Sequence, residues 1–421
     1  MLLTVLAFLA LCVGAFASLR LLNERGGTDV PSWKAADGRV QILAPAGRTL
    51  EVSPTEAPVP TEDYATATPE PVWTPEDTPE PAQPEEAPEI AAVPAATAEP
   101  SATWAPTQIV LTAVGDCTLG GDYNSGYYKS FRGYVNRNGY DYFLEKVRPL
   151  FQQDDLTIVN LEGPLTTSKE KRSGRRYNFK GDPEYIQILS GSSVEIANVA
   201  NNHALDFGEE GFEETCRVVK AAGIGCSGFS EVYNTVVKGV RVCSIGFTRW
   251  AYDQEQVVKA VTMARPNCDL LLVSMHWGDE GHHEPSQEQI SMGHAIIDAG
   301  ADIVIGTHSH VYGAIEQYKD KYIIYSLGNF CFGGNRNPVE KDTIIFQQIF
   351  NIDAQGNVTD GGIDVIPARV SGSDKRNDYQ PYIMEDEARA AKLLNKVMNI
   401  SNLGENPQWK SGATAPRLLS R

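Results

Sequence analysis

The stretch Asp269–Glu280, DLLLVSMHWGDE, packs apolar residues almost without a break and then stops at a histidine, a glycine and two carboxylates. An apolar run this short, ended by turn chemistry, reads as a buried strand. Its polar end is the carboxyl edge of the strand, where α/β sheets collect their ligands. The same pattern recurs outward along the chain. VEIANVA ends in Asn201-Asn202-His203, and ADIVIGT ends in His308-Ser309-His310. All seven histidines lie between 203 and 310, so imidazoles arrive at one sheet edge from distant parts of the sequence.

Further strand-like runs occupy 108–114, 156–161, 194–199, 236–245, 270–275, 303–305, 322–326, 343–350 and 362–367. Between several of them lie helical stripes. Phe212, Cys216 and Val219 share one face, as do Val257, Val261 and Ala264. A third helix opens on Ser286 with Gln289 three residues later, the signature of a capping box, and carries Ile290, Gly293 and Ile297. Strands alternating with helices predict an α/β fold, and the last strands, which lack helices, predict an antiparallel edge. The folded domain spans 107–370, and the tail 371–421 holds one helix around 385–397.

The strand ends carry the chemistry. Ile109–Asp116 closes on Gly-Asp, which is also ordinary turn chemistry. Ile158–Pro164 closes on Glu162, a buried carboxylate that needs a cation or donors. Asn202 offers an amide oxygen suited to a hard ion, and His203 a general acid. His276, His308 and His310 add three imidazoles. The last two are spaced i, i+2, so that both would project to one side of an extended segment, with Gly306 and Gly313 allowing tight turns. His294 sits near the apolar stripe of its helix and reads as a satisfied core residue. His282 and His283 read as loop surface, and Cys117 as a small buried packing residue.

The rest of the chain sets the context. Residues 1–22 begin with an unbroken apolar run to Leu19 that ends in Ala-Phe-Ala, the pattern of an export signal or a membrane anchor. Residues 23–106 are a spacer. Pro, Glu, Thr and Ala dominate it from Pro45 onward, Thr-Pro-Glu recurs at 68, 74 and 78, and it cannot bury a core. In a polyproline conformation of ~3 Å per residue its stretch from Pro45 to Pro106 reaches on the order of 150 Å or more. Its twelve carboxylates from Glu51 to Glu99 supply most of the formal charge of −18, so the folded part is only mildly acidic. Six of the seven cysteines are dispersed after the spacer without a C-x-x-C pair, which indicates neither a structural zinc site nor a dense disulfide framework and leaves a single pairing open. Lys169, Lys171, Arg172, Arg175, Arg176 and Lys180 crowd the loop after Glu162, interleaved with Tyr177 and Phe179. Such a loop suits either an anionic polymer or plain solvation. An exported chain without an extended basic surface argues against nucleic acid as a partner.

The series VGD, NLEGPLT, ANNHALDFG, HWGDE, GTHSH and SLGNFCF, over about 108–335, resembles the CapA/PgsA family of capsule or poly-γ-glutamate synthesis proteins. The resemblance implies a metallophosphoesterase-like two-sheet sandwich flanked by helices (α/β/β/α). It also implies Asp116, Glu162, Asn202, His276, His308 and His310 as metal ligands, with His203 as acid. Asp206 stands beside His203 as a further catalytic candidate. Arg172, Arg175, Arg176, Lys180 and Glu280 are candidates for substrate binding, and Glu280 or Asp206 for the outer part of the metal shell. The chain departs from the wider superfamily at Asp116-Cys117-Thr118, where Asp-x-His is usual, and at Glu162, which replaces an aspartate. One or two divalent ions are expected, and mixed nitrogen and oxygen ligands favour Mn, Fe or Zn over Mg. Two functions stay open. One is a metal-dependent hydrolase or transferase acting on polyglutamate or a similar anionic envelope polymer. The other is a non-catalytic polymer-binding or export subunit with a structural metal. Either would work outside the cytoplasm, anchored to the membrane or secreted, beside membrane-embedded capsule synthesis proteins.

Overall fold

The computed structural model describes residues 105–402. The expected export segment 1–22, all of the spacer except its last two residues, and the tail from 403 lie outside the described residues. Among the described residues no helix is long and apolar enough to cross a membrane.

Two sheets pack face to face. At the centre of the eight-stranded sheet lies Thr107–Thr118, with Leu156–Leu161, Ile196–Asn198 and Gly225–Ser227 following parallel on one side. On the other side Asp342–Ile352 and Val358–Arg369 run antiparallel, ending at Tyr382–Ile383, while Asn329–Phe332 pairs with the carboxyl end of the central strand. The six-stranded sheet has a parallel middle of Val240–Thr248, Leu270–His276, Ile303–Thr307 and Lys321–Ile324. Antiparallel Tyr233–Val237 and Ile315–Tyr318 form its edges.

Strand periodicity builds the layers. Ile109, Leu111 and Ile158 share an inter-sheet core with Leu270, Leu272, Ile303 and Ile305. Residues of the opposite parity face outward. Val159 and Leu161 cluster with Phe212, Cys216 and Val219 of the Gly208–Ala221 helix. Leu271 and Val273 cluster with Val257 and Val261 of Gln254–Ala264 and with Ile296 of Gln287–Asp298. The result is the expected α/β/β/α sandwich. Each fully buried aliphatic side chain contributes roughly 1.5–3 kcal/mol to holding it together. The Ser286 capping box forms as expected, and Asp253 with Gln256 forms a second one.

One expectation changes. The run at 236–245 is not one strand but a hairpin, turned by Lys238 (φ 50°) and Gly239 (φ 88°). A second two-residue turn at Lys319 and Asp320, both at positive φ, joins Ile315–Tyr318 to Lys321–Ile324. Such turns demand positive φ at both positions, and neither Lys-Gly nor Lys-Asp is the usual Asn-Gly signal. Beyond Val370 the chain stays on the body. Tyr379 is buried, and the Glu387–Ile400 helix, capped by Asp386, sets Ala390, Leu393 and Val397 into the inter-sheet core.

Candidate metal centre

Register brings the strand ends into two rows. On the first sheet Asp116, Asn160 and Asn198 are neighbours, and on the second Thr248, His276 and Thr307. Asp116 sits after an irregularity in the central strand, where its N–H donates to Gly328 O at 2.9 Å. That approach requires Gly115, because a Cβ there would lie 1.8 Å from the same oxygen.

Asp116, Glu162, His276 and His308 are buried, and the His310 side chain is nearly so. Their donor atoms fall into overlapping groups within 4.8 Å: Glu162 with His276 and His308, Asp116 with Glu162 and His310, and Glu280 with His308 and His310. His276 Nε2 lies 3.0 Å from Asn202 Oδ1 and 3.1 Å from His308 Nδ1, while its Nδ1 meets Thr307 Oγ1 at 2.9 Å. His310 Nδ1 faces Asn329 Oδ1 at 2.9 Å and Asp116 Oδ2 at 3.2 Å, leaving Nε2 towards Glu162 Oε1 at 3.9 Å. One oxygen of Glu162 is satisfied by Thr118 Oγ1 at 3.0 Å. The other, Oε1, is buried without a hydrogen-bond partner, 3.7 Å from His276 Nε2. An orphaned carboxylate oxygen among imidazole nitrogens fits a divalent cation.

Charge follows from burial. Burial, then neighbouring imidazoles, hold His276 and His308 well below the usual histidine range, in the neutral form that ligates metals. Burial also lowers His310, but Glu162 and Asp116 overcome it and lift His310 to about 10. Glu162 itself is raised by burial, against the opposing charge of His310.

Beside this group stands a dyad. His203 Nδ1 lies 2.6 Å from Asp206 Oδ2, which also accepts from Phe179 N at 2.6 Å. The Phe179 ring stacks on His203 with centroids 3.9 Å apart. Burial alone would lower His203, yet Asp206 raises it overall, so the ring tends to keep its proton. Asn201 is the fastener here, donating to Leu161 O and accepting from His203 N.

The basic loop touches the dyad. Arg172 N donates to Asp206 O at 2.8 Å, and Arg175 is half-buried nearby. Arg176 lies over the Tyr177 ring. The ammonium of Lys180 donates to Ser168 O and sits 5.0 Å from the Phe207 ring, tying the two ends of the loop together.

His308 and His310 reach the centre by another route than alternation. Their φ angles are 97° and 59°, so the segment is not extended, and such strained backbone at non-glycine residues is typical of functional sites. Gly306 and Gly313 are not turn residues. They let the backbone of Tyr325 and Ser326 approach closely. His294 is satisfied by Glu316 at 3.1 Å and stacks on Tyr318, but it is half-buried rather than in the core. His282 is exposed, and His283 bonds Tyr312 O at 2.6 Å. All six described cysteines are free and buried, and burial pushes the Cys117 thiol up to about 12.

Sequence reading missed Asn160, whose amide donates to Asp116 Oδ1 at 2.8 Å, and Asn329, which holds His310. Asn160 is an amide inside an otherwise apolar strand, a signal that was present in the sequence, and Asn329 opens the apolar strand Asn329–Phe332. Thr118 and Thr307 carry no such signal.

Residues 110–334 match the family described as "Bacterial capsule synthesis protein PGA_cap". The capsule biosynthesis protein CapA of Bacillus anthracis is 30% identical over 300 residues, covering 64% of this chain and 69% of that protein. The PGA biosynthesis protein CapA of Bacillus subtilis strain 168 is 28% identical over 290 residues, covering 62% of this chain and 75% of that one. Among solved structures, the NAD nucleotidase of Haemophilus influenzae covers 71% of this chain and 64% of its own, with a TM-score of 0.38 and 11% identity, too distant to bear on activity. With more than half of its length inside the family match, the chain belongs to the bacterial capsule synthesis proteins of the PGA_cap family.

Proposed function

We propose that the chain is an exported protein that hydrolyses or transfers units of an anionic envelope polymer at a divalent-metal site, in capsule or polyglutamate production. The carrying observation is Glu162 Oε1, a buried oxygen without a hydrogen-bond partner facing His276 and His310. The Bacillus relatives are named for capsule and PGA biosynthesis, which supports the choice of polymer.

Glu162, His276, His308 and Asn202 would hold one ion. Asp116 and His310, with Glu280 at the rim, would hold a second beside Glu162. When bound there, a divalent ion would supply Lewis-acid polarisation of a phosphoryl or carbonyl group and lower the pKa of water so that hydroxide is available at neutral pH. His203, fixed through Nδ1 by Asp206, presents Nε2 with its proton to the leaving group. Phe179, stacked on one face of His203, fixes the plane of the ring. Arg172, Arg175 and Arg176 draw the polyanion towards the centre. Residues 1–22 anchor the protein in the membrane or release it by cleavage, and the spacer carries the domain away from the bilayer, beside membrane-embedded capsule synthesis proteins.

The test is a hydrolysis screen of the metal-loaded full chain on γ-linked glutamate oligomers and phosphodiesters, alongside His203→Ala. Metal-dependent turnover that falls at least 100-fold in the variant is expected. Polymer binding with no turnover under any metal would instead establish the non-catalytic subunit.

A further inference from the structure

Arg249 and Trp250 follow the Val240–Thr248 strand of the second sheet, whereas the basic loop follows the Leu156–Leu161 strand of the first. The loop side reaches the centre through Phe179 on His203 and Phe332 on His310. The Trp250 ring instead stands edge-on to His308 at 4.4 Å and lies 6.1 Å from His276. It is half-buried. The Arg249 guanidinium lies over that ring at 5.4 Å. The nearest carboxylate is Asp279, at 3.7 Å and 58% exposed, so it is too distant for a hydrogen bond and too solvated to hold the guanidinium strongly. The backbone is fixed all the same, because Arg249 N donates to His276 O at 3.2 Å.

A planar cation with unfilled donors, braced on an aromatic ring that touches a candidate metal ligand, is suited to fork a carboxylate. Together with the proposed polymer substrate, on which this step rests, we infer that Arg249 and Trp250 form a second anion subsite. An acidic chain then lies across the centre, its carboxylates held by Arg249 on one side and by the basic loop on the other. The bond presented to the metal is therefore an internal one, and recognition depends on chain length.

The test is calorimetric titration of the full chain with γ-linked glutamate oligomers of three and twelve residues, with tryptophan emission followed in parallel. Wild type should bind the longer oligomer at least tenfold more tightly. Arg249→Ala should erase that advantage, Arg249→Lys should keep part of it, and Trp250→Phe should lose the polymer-induced change in emission. Melting curves report whether each variant is folded. Wild-type binding with an undiminished length advantage in both Arg249 variants overturns the subsite alone. A wild type that binds neither oligomer overturns the substrate reading and the subsite with it.

Discussion

The Thr118 hydroxyl donates to Glu162 Oε2 at 3.0 Å. It therefore orients a candidate ligand without being one. It leaves the other oxygen, Oε1, aimed at His276 and His310. Partners that orient ligands are worth ~10–100-fold in metal affinity. Thr118→Val should weaken metal binding by about that factor while the protein stays folded, as measured by competition with a chelating dye.

The dyad makes a separate claim. His203→Ala and Asp206→Asn should each lower turnover by roughly 10²–10⁴, the usual contribution of a general acid. Metal content should be unchanged in both. Loss of metal in either variant would move that residue from proton transfer to ligation.

At the opposite end of the strands, Asp302 binds Arg265 at 2.7 Å, Lys321 at 2.8 Å and Leu271 N at 2.8 Å, and is itself buried. Asp302→Ala leaves Lys321 and a backbone N–H without their acceptor, while Arg265 keeps only Gly300 O and Cys268 O, which should cost on the order of 3 kcal/mol. Urea unfolding measures this directly.

The tail helix should behave as part of the domain. Leu393 is buried in the inter-sheet core, so Leu393→Ala should cost about 2–5 kcal/mol, and a chain cut at 370 should express poorly. A truncated chain that melts like the full one would mean that the helix packs without contributing stability.

Asp154 and Glu195 both bond Thr157, and burial pushes each carboxyl up to about 7. Their folded values exceed the unfolded values near 4. The stability they give is fully present below pH ~4 and is lost as pH rises through 7. Asp154→Asn and Glu195→Gln should therefore each reduce the fall in Tm between pH 5 and pH 8 relative to wild type.

Much of the centre was legible because α/β chemistry gathers where apolar runs stop. Asp116, Glu162, Asn202, His276, His308 and His310 all stand at or just beyond strand ends, and the fold brings them together. Less legible were the residues that hold them. Asn160 and Asn329 lie within strands, and Thr118 looks like any strand threonine until Glu162 is set beside it. The i, i+2 spacing of His308 and His310 suggested strand alternation, whereas both residues have positive φ and the segment is not extended. Trp250 passed unnoticed because an aromatic residue after a strand ordinarily signals core.

Elemental analysis of the purified full chain, before and after dialysis against chelator and divalent ions, bears most directly on the centre. About one to two equivalents of Mn, Fe or Zn per chain are expected, falling to near zero when Glu162→Gln is combined with His308→Ala. Wild-type protein that takes up no divalent ion under these conditions would contradict the account.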